Sequence, residues 1–235
     1  HQNEALFDRQ NTIASGKKIN KPSDDPLGMG RVLDYSQTIA SIEQYQTNIQ
    51  GGKTRLEVVD ANLDLVDELL EVVSAIAETE GRGTTESRLR AAENIKNLYD
   101  QILDQANAKL SDNYLFSGYQ TKTAPFSRDD SLATTFDQFT VTYNGDGGDM
   151  QFIVADNTQV TMDADGRPIF HDAAPGGVSI FDAMRDLIVG LENDDTAAIS
   201  IQSGLLDQGH TQIQNIRSAH APILYQLKTA ENHWE

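Results

Sequence analysis

The residues whose types best suit them to chemistry are acidic. Asp24 and Asp25 stand side by side between Pro22 and Pro26, and Asp60, Asp64, Asp67, Glu68 and Glu71 crowd a single short stretch. Neighbouring carboxylates are the raw material of general acid–base pairs and of oxygen-ligand metal sites. Both clusters also have a structural reading. Lys21-Pro22-Ser23-Asp24-Asp25-Pro26 has the form of a helix start: proline holds the preceding residue extended, Asp25 suits the N-cap and Pro26 the first helical position. Carboxylates at that place complement the helix macrodipole. Asp60, Asp64 and Glu68 lie one helical turn apart with no histidine interleaved, so the Glu-x-x-His pattern of di-metal bundles is missing. That stretch reads as a solvated face or as one awaiting a basic partner.

Other chemistries find less support. Asp163-Ala164-Asp165-Gly166 opens like a calcium loop, but the position where an EF-hand places its bidentate glutamate is Ala174. It and Asn144-Gly145-Asp146-Gly147-Gly148 read as turns, where Asp, Asn and Gly supply unusual backbone angles. His1, His171, His210, His220 and His233 are dispersed, no phosphate-binding glycine loop or His-Glu-x-x-His is present, and no serine lies in a nucleophile elbow. Cysteine is absent, which removes thiolate chemistry and disulfides together. The expectation is a non-enzyme with no catalytic residues, cofactor or metal. A formal net charge of -18 opposes phosphate backbones and anionic membranes, so neither nucleic acid nor membrane is an expected partner. The apolar runs are too short to span a bilayer, and the first residues do not read as a cleavable signal peptide.

The elements that position these residues are long helices. From Val32 to Ile76 apolar residues recur in helical steps. Val32, Tyr35, Ile39, Ile42, Ile49 and Leu56 form a heptad seam with Gln46 and Lys53 at its two polar positions. Two successive three-residue steps, Lys53 to Leu56 and Leu56 to Val59, imply a slip before the alternation resumes through Leu63, Val66, Leu70 and Val73. Gly81-Arg82-Gly83 breaks the helix, and Thr84 or Thr85 caps a second one with Leu89, Ala92, Ile95, Leu98, Ile102, Ala106 and Leu110 on its apolar face. Its basic residues, Arg88, Arg90, Lys96 and Lys109, are the nearest in sequence that could offset the acidic face.

At Asn113-Tyr114-Leu115-Phe116-Ser117-Gly118-Tyr119 the period changes. Strand-like alternation follows at Phe139 to Tyr143, Met150 to Val154 and Thr158 to Met162, predicting a small antiparallel sheet. Helical spacing returns at Ile180, and a last helix carries Leu206, Gly209, Ile213, Ile216, His220, Ile223, Leu227, Ala230 and Trp234 as an unbroken heptad seam, with Pro222 expected to interrupt one backbone hydrogen bond. This is the long partner that the first rod needs. The seam is in phase at Trp234, so truncated termini are expected at both ends.

Ser15-Gly16-Lys17-Lys18-Ile19-Asn20-Lys21-Pro22-Ser23-Asp24-Asp25-Pro26 with Ile42-Glu43-Gln44-Tyr45-Gln46-Thr47-Asn48-Ile49 resembles the N-terminal region of the flagellin family. The Pro-Ser-Asp-Asp-Pro form, Tyr114-Leu115-Phe116-Ser117-Gly118-Tyr119, Pro125-Phe126 and Tyr143-Asn144-Gly145-Asp146-Gly147 are similar to its hook-associated members. The resemblance implies an inner helical domain made from both ends of the chain and a β-rich outer domain made from its middle. It also implies passage through the flagellar type III export apparatus with an export chaperone, and an extracellular place in the flagellum at the hook–filament junction. The implied partners there are hook-associated protein 1, flagellin and further copies of the chain.

The fold expected is therefore mainly α with a β-rich insertion (α+β): residues 1–118 and 178–235 as a discontinuous long-helix coiled-coil bundle, and 119–177 as a small antiparallel β domain. The function expected is a structural adaptor, with a divergent flagellin or an extracellular binding module acting through the β domain as alternatives. The candidates for subunit contact are Lys21, Pro22, Ser23, Asp24, Asp25 and Pro26, with Asp60, Asp64, Asp67, Glu68 and Glu71.

Overall fold

Asp25 caps the first long helix as its sequence context predicts. Its carboxylate accepts from the Gly28 N–H at 3.0 Å, and Pro26 sits in the first turn. In the computed structural model, which describes residues 25–129, 135–172 and 176–234 together with 10, 13, 14 and 16, α1 runs Pro26–Glu80 over 55 residues. At 1.5 Å per residue that is about 80 Å. Lys21, Pro22, Ser23 and Asp24 lie outside the described residues. Gly81 ends α1, and a capping box between Thr84 and Ser87 starts α2, Thr85–Ala106. Arg88 fastens this corner. Its Nε donates to the Glu80 carbonyl at 2.8 Å and its Nη2 to the Gly81 carbonyl at 3.1 Å, satisfying acceptors that a helix end leaves open.

Between α2 and the C-terminal helices lie β1 (Lys109–Leu110), β2 (Asn113–Tyr114), β3 (Phe126–Asp129), a 3₁₀ turn (Phe136–Gln138), β4 (Thr140–Tyr143), β5 (Met150–Ala155), β6 (Thr158–Met162) and the one-turn α3 (Arg167–Phe170). Then α4 runs Ile180–Glu192 and α5 Thr196–His233. Asp195 caps α5 by accepting from Ala197 and Ala198. Asp194, at the α4–α5 corner, pairs with the Arg88 guanidinium, so one side chain ties both corners at the same end of the bundle. The chain is the mainly helical α+β fold expected.

Pairing is antiparallel as expected, but among the described residues as three separate two-stranded ribbons, β1–β2, β3–β4 and β5–β6, rather than one sheet. Two strands alone are marginal in water. Two of these ribbons gain their buried side from helices. Phe126 of β3 enters the core shared by α1, α2, α4 and α5, where it meets Phe170 and Phe181 at centroid distances of 5.4 and 5.6 Å. Val154 and Val160 of β5–β6 pack with Ile49 of α1 and Leu227 of α5 in a second, smaller core further along the rod.

Sequence and structure differ at three places in the helices. The seam of α1 has no slip. Its buried positions, Ile49, Gly52, Leu56, Val59, Leu63, Val66, Leu70, Val73 and Ala77, alternate steps of three and four throughout. The seam position is Gly52, not Lys53, whose ammonium reaches out to Glu231 at 2.8 Å. A Cβ on Gly52 would lie 3.3 Å from the Phe152 ring and 3.4 Å from Leu227, so the missing side chain admits both. The second difference is in α2, which ends at Ala106; Leu110 belongs to β1, and Leu89 is 46% exposed at the open end. Tyr99 instead fills the core, edge-on to Phe136 and Phe181. Third, Val32, Tyr35 and Ile39 are exposed.

The C-terminal seam is as expected: every position from Leu206 to Trp234 is buried or half-buried, and α5 continues through Pro222, which is exposed. Alpha1 and α5 run antiparallel, with Lys53 opposite Glu231, Asp60 opposite Arg217 and Asp67 opposite His210. Replacing Gly52 by leucine would overfill the site beneath Phe152. The expected cost is about 1–3 kcal/mol, read as a lower midpoint in urea, with helix content retained.

Candidate assembly surfaces

The acidic stretch of α1 finds its basic partner within the same chain, on α5. Arg217 reaches Asp60 at 3.2 Å, Asp64 at 2.6 Å and Asp67 at 3.7 Å. His210 Nδ1 stands 2.6 Å from Asp67 Oδ1. The basic residues of α2 are spent elsewhere: Arg88 on Asp194, Arg90 on Glu86, and Lys96 on Glu93 and Glu192. Asp60, Asp64 and Asp67 thus help hold α1 against α5, whereas Glu68 and Glu71 are exposed and have no ion pair among the described residues. Asp25 serves as the α1 cap with Pro26 behind it.

His220 occupies its seam position 7% exposed, with Nδ1 3.9 Å from Asp60 Oδ1. Burial pushes its imidazole below the ordinary value of 6.5; Asp60 and Asp163 pull upward and Arg217 adds to the depression. His171 Nδ1 meets Ser179 Oγ at 2.9 Å with Asp182 Oδ2 at 4.0 Å from the same nitrogen. A relay needs the base between nucleophile and carboxylate through opposite ring nitrogens, so this is not a catalytic triad. Ser179 accepts from the Asp182 N–H as the cap of α4.

The two turn motifs meet at the joint between bundle and ribbons. Asp146 Oδ1 accepts from the Tyr119 N–H at 2.7 Å and the Gly148 N–H at 3.1 Å, while Tyr143 Oη lies 3.1 Å from the Phe116 carbonyl. Gly118 has φ +64°, and any Cβ there would fall on the Asp146 carboxylate. From α1, Arg55 donates through Nη2 to the Leu115 carbonyl at 2.7 Å. Burial lowers its pKa from the ordinary arginine value. Asp165 accepts from the Arg167 N–H and pairs with that guanidinium at 2.7 Å. Neither Arg55 nor Arg217 stands out in the sequence, because their partners lie far away along the chain.

The described residues thus make a rod of paired long helices, braced at one joint and carrying acidic and apolar residues along its outside. The family of the bacterial flagellin N-terminal helical region matches residues 1–121. The chain belongs to the flagellin family. It is similar to flagellar hook-associated protein 3 of Escherichia coli strain K12, 24% identical over 237 residues, spanning 95% of this chain and 72% of that relative. The corresponding protein of Salmonella typhimurium is 25% identical over 119 residues, 49% of this chain and 38% of its own length.

Among solved structures, a candidate flagellar hook-associated protein from Vibrio parahaemolyticus superposes with a TM-score of 0.78 at 22% identity, over 91% of this chain and 94% of that one. The flagellar junction protein of Legionella pneumophila superposes at 0.70 and 18% identity, over 89% and 96%. At these identities the likeness is one of fold.

The depressed His220 pKa has a direction in pH. The unfolded chain takes up this proton more readily, so the stability associated with neutral His220 is complete above about pH 6.5 and is lost as pH falls through the folded value. His220→Leu, which keeps the seam apolar, should flatten that part of the profile. Urea midpoints at about pH 7.5 and about pH 5.5 should differ less for the variant than for the parent chain.

Proposed function

We propose that the chain is a structural adaptor of the bacterial flagellum, joining hook-associated protein 1 to the flagellin filament at the hook–filament junction. The single observation that carries this reading is the similarity to a flagellar hook-associated protein along 95% of the chain, set on a matching long-helix fold. In this reading the helical part, 1–118 and 178–235, makes the lengthwise contacts with hook-associated protein 1, flagellin and further copies, and 119–177 forms the outer part. The chain leaves the cell through the flagellar export apparatus with an export chaperone and acts without catalysis or cofactor. The contact residues proposed are Lys21 to Pro26 with the exposed Glu68 and Glu71. Asp60, Asp64 and Asp67 contribute to contact only so far as they can do so while holding Arg217.

A second reading, a divergent flagellin that forms the filament itself, has in its favour the family match at residues 1–121. Deleting the full-length gene separates the two. The adaptor reading expects non-motile cells that shed intact filaments into the medium; cells making no filament at all favour the flagellin reading. Replacing residues 21–26 with a glycine–serine segment should abolish complementation of motility while leaving the purified chain folded, and normal motility would remove that loop from the contact.

A further inference from the structure

The α1 helix carries a second seam on its outside. Ala61, Leu65, Val72 and Ala75, with Glu68 between Leu65 and Val72, repeat the steps of three and four found in the inner seam, while Val58, one step before them, packs against the chain's own main core. At 100° per residue this line runs about 150° around the helix from the buried one. Leu65 is 48% exposed and Val72 49%, and Ala61 and Ala75 are exposed. Along the α2 side the line borders a cleft of about 540 Å³ whose walls include Val72, Ala75, Ile76 and Ala91. Small residues alternating with Leu and Val leave room for a helix backbone to approach closely.

The charge beside this seam says what kind of helix it takes. If Leu65 and Val72 are a positions, with Val58 and Thr79 one heptad to either side, the residue before each of the four, the g position, is Glu57, Asp64, Glu71 or Glu78. All four are acidic. Asp64 is held by Arg217, while Glu57, Glu71 and Glu78, like Glu68, have no ion pair among the described residues. In helix pairs the e and g residues choose the partner by charge. A second copy laid antiparallel on this face would set one acidic row against the other, which opposes antiparallel self-pairing, and a parallel copy would set the row against Asn62, Leu69 and Ile76, none of them basic. With a net charge of -18, the chain carries little surplus positive charge to offer instead.

We propose that the outer face of α1 from Ala61 to Thr79 is a docking seam for an α-helix of a different protein with apolar a and d positions and lysine or arginine at e and g. This deepens the assembly reading and rests on it only in locating the partner within the flagellum. The probe is a synthetic four-heptad helix with leucine at a and d and lysine at e and g, titrated against the full chain by fluorescence anisotropy. Two further peptides accompany it, one with glutamate at e and g, one with serine at a and d.

The lysine–leucine helix should bind at least about tenfold more tightly than either companion and weaken as salt is raised. Leu65→Ser with Val72→Ser should lose at least about tenfold in affinity at an unchanged melting temperature. Glu71→Gln with Glu78→Gln should weaken binding and reduce its salt dependence. Equal binding of the lysine–leucine and lysine–serine helices, or binding indifferent to the Leu65 and Val72 changes, would overturn the proposal by exposing simple charge attraction. The titration does not depend on the gene-deletion phenotype, so the docking seam and the junction role can fail separately.

Discussion

The structure depends on the antiparallel pairing of α1 with α5, two segments separated by more than a hundred residues of chain. Neither helix can bury its stripe alone, and most helical stability in water comes from such packing rather than from intrinsic propensity. Val59, Leu63, Val66 and Leu70 meet α5 residues such as Leu206 and Ile213 in the main core. Farther along, α2 and α4 are gone and the β5–β6 ribbon takes their place over Ile49 and Leu227. Gly52 is the position that permits this change of cover. The polar side of the same pairing is the Arg217 cluster, where one guanidinium answers three carboxylates that would otherwise repel one another.

The middle of the chain is tied to this pair rather than appended to it. Phe116, Phe126 and Phe170 lie in the same core as the helices, and Arg55 reaches from α1 to the backbone of the Leu115 segment. A load on the ribbons is therefore passed to α1 and α5 through packed rings and hydrogen bonds.

What could be read from sequence followed the range of each interaction. Helices α1, α2, α4 and α5 and the hairpin strands β5 and β6 were legible because their periodicity is local, and the Asp25-Pro26 start because capping is local. Strand β3 was not, because Phe126 is buried by remote helices rather than by its neighbours in the chain. The apparent slip arose because an aliphatic stem at Lys53 fits a seam on paper as well as a glycine does; only the approach of Phe152 distinguishes them. Of the candidate contacts, Glu68 and Glu71 are exposed as a surface role requires. The engagement of Asp60, Asp64 and Asp67 by Arg217 could not be seen without knowing that α5 lies alongside.

The position of the subunit in an intact flagellum is the most direct test of the account. Cryo-electron microscopy of hook–filaments isolated from cells carrying the full-length gene, with a label inserted in the exposed β5–β6 turn at Asp156-Asn157, would show where it resides. The account predicts label in a short band between hook and filament. Label spread along the length of the filament, or absent from the junction, would contradict it.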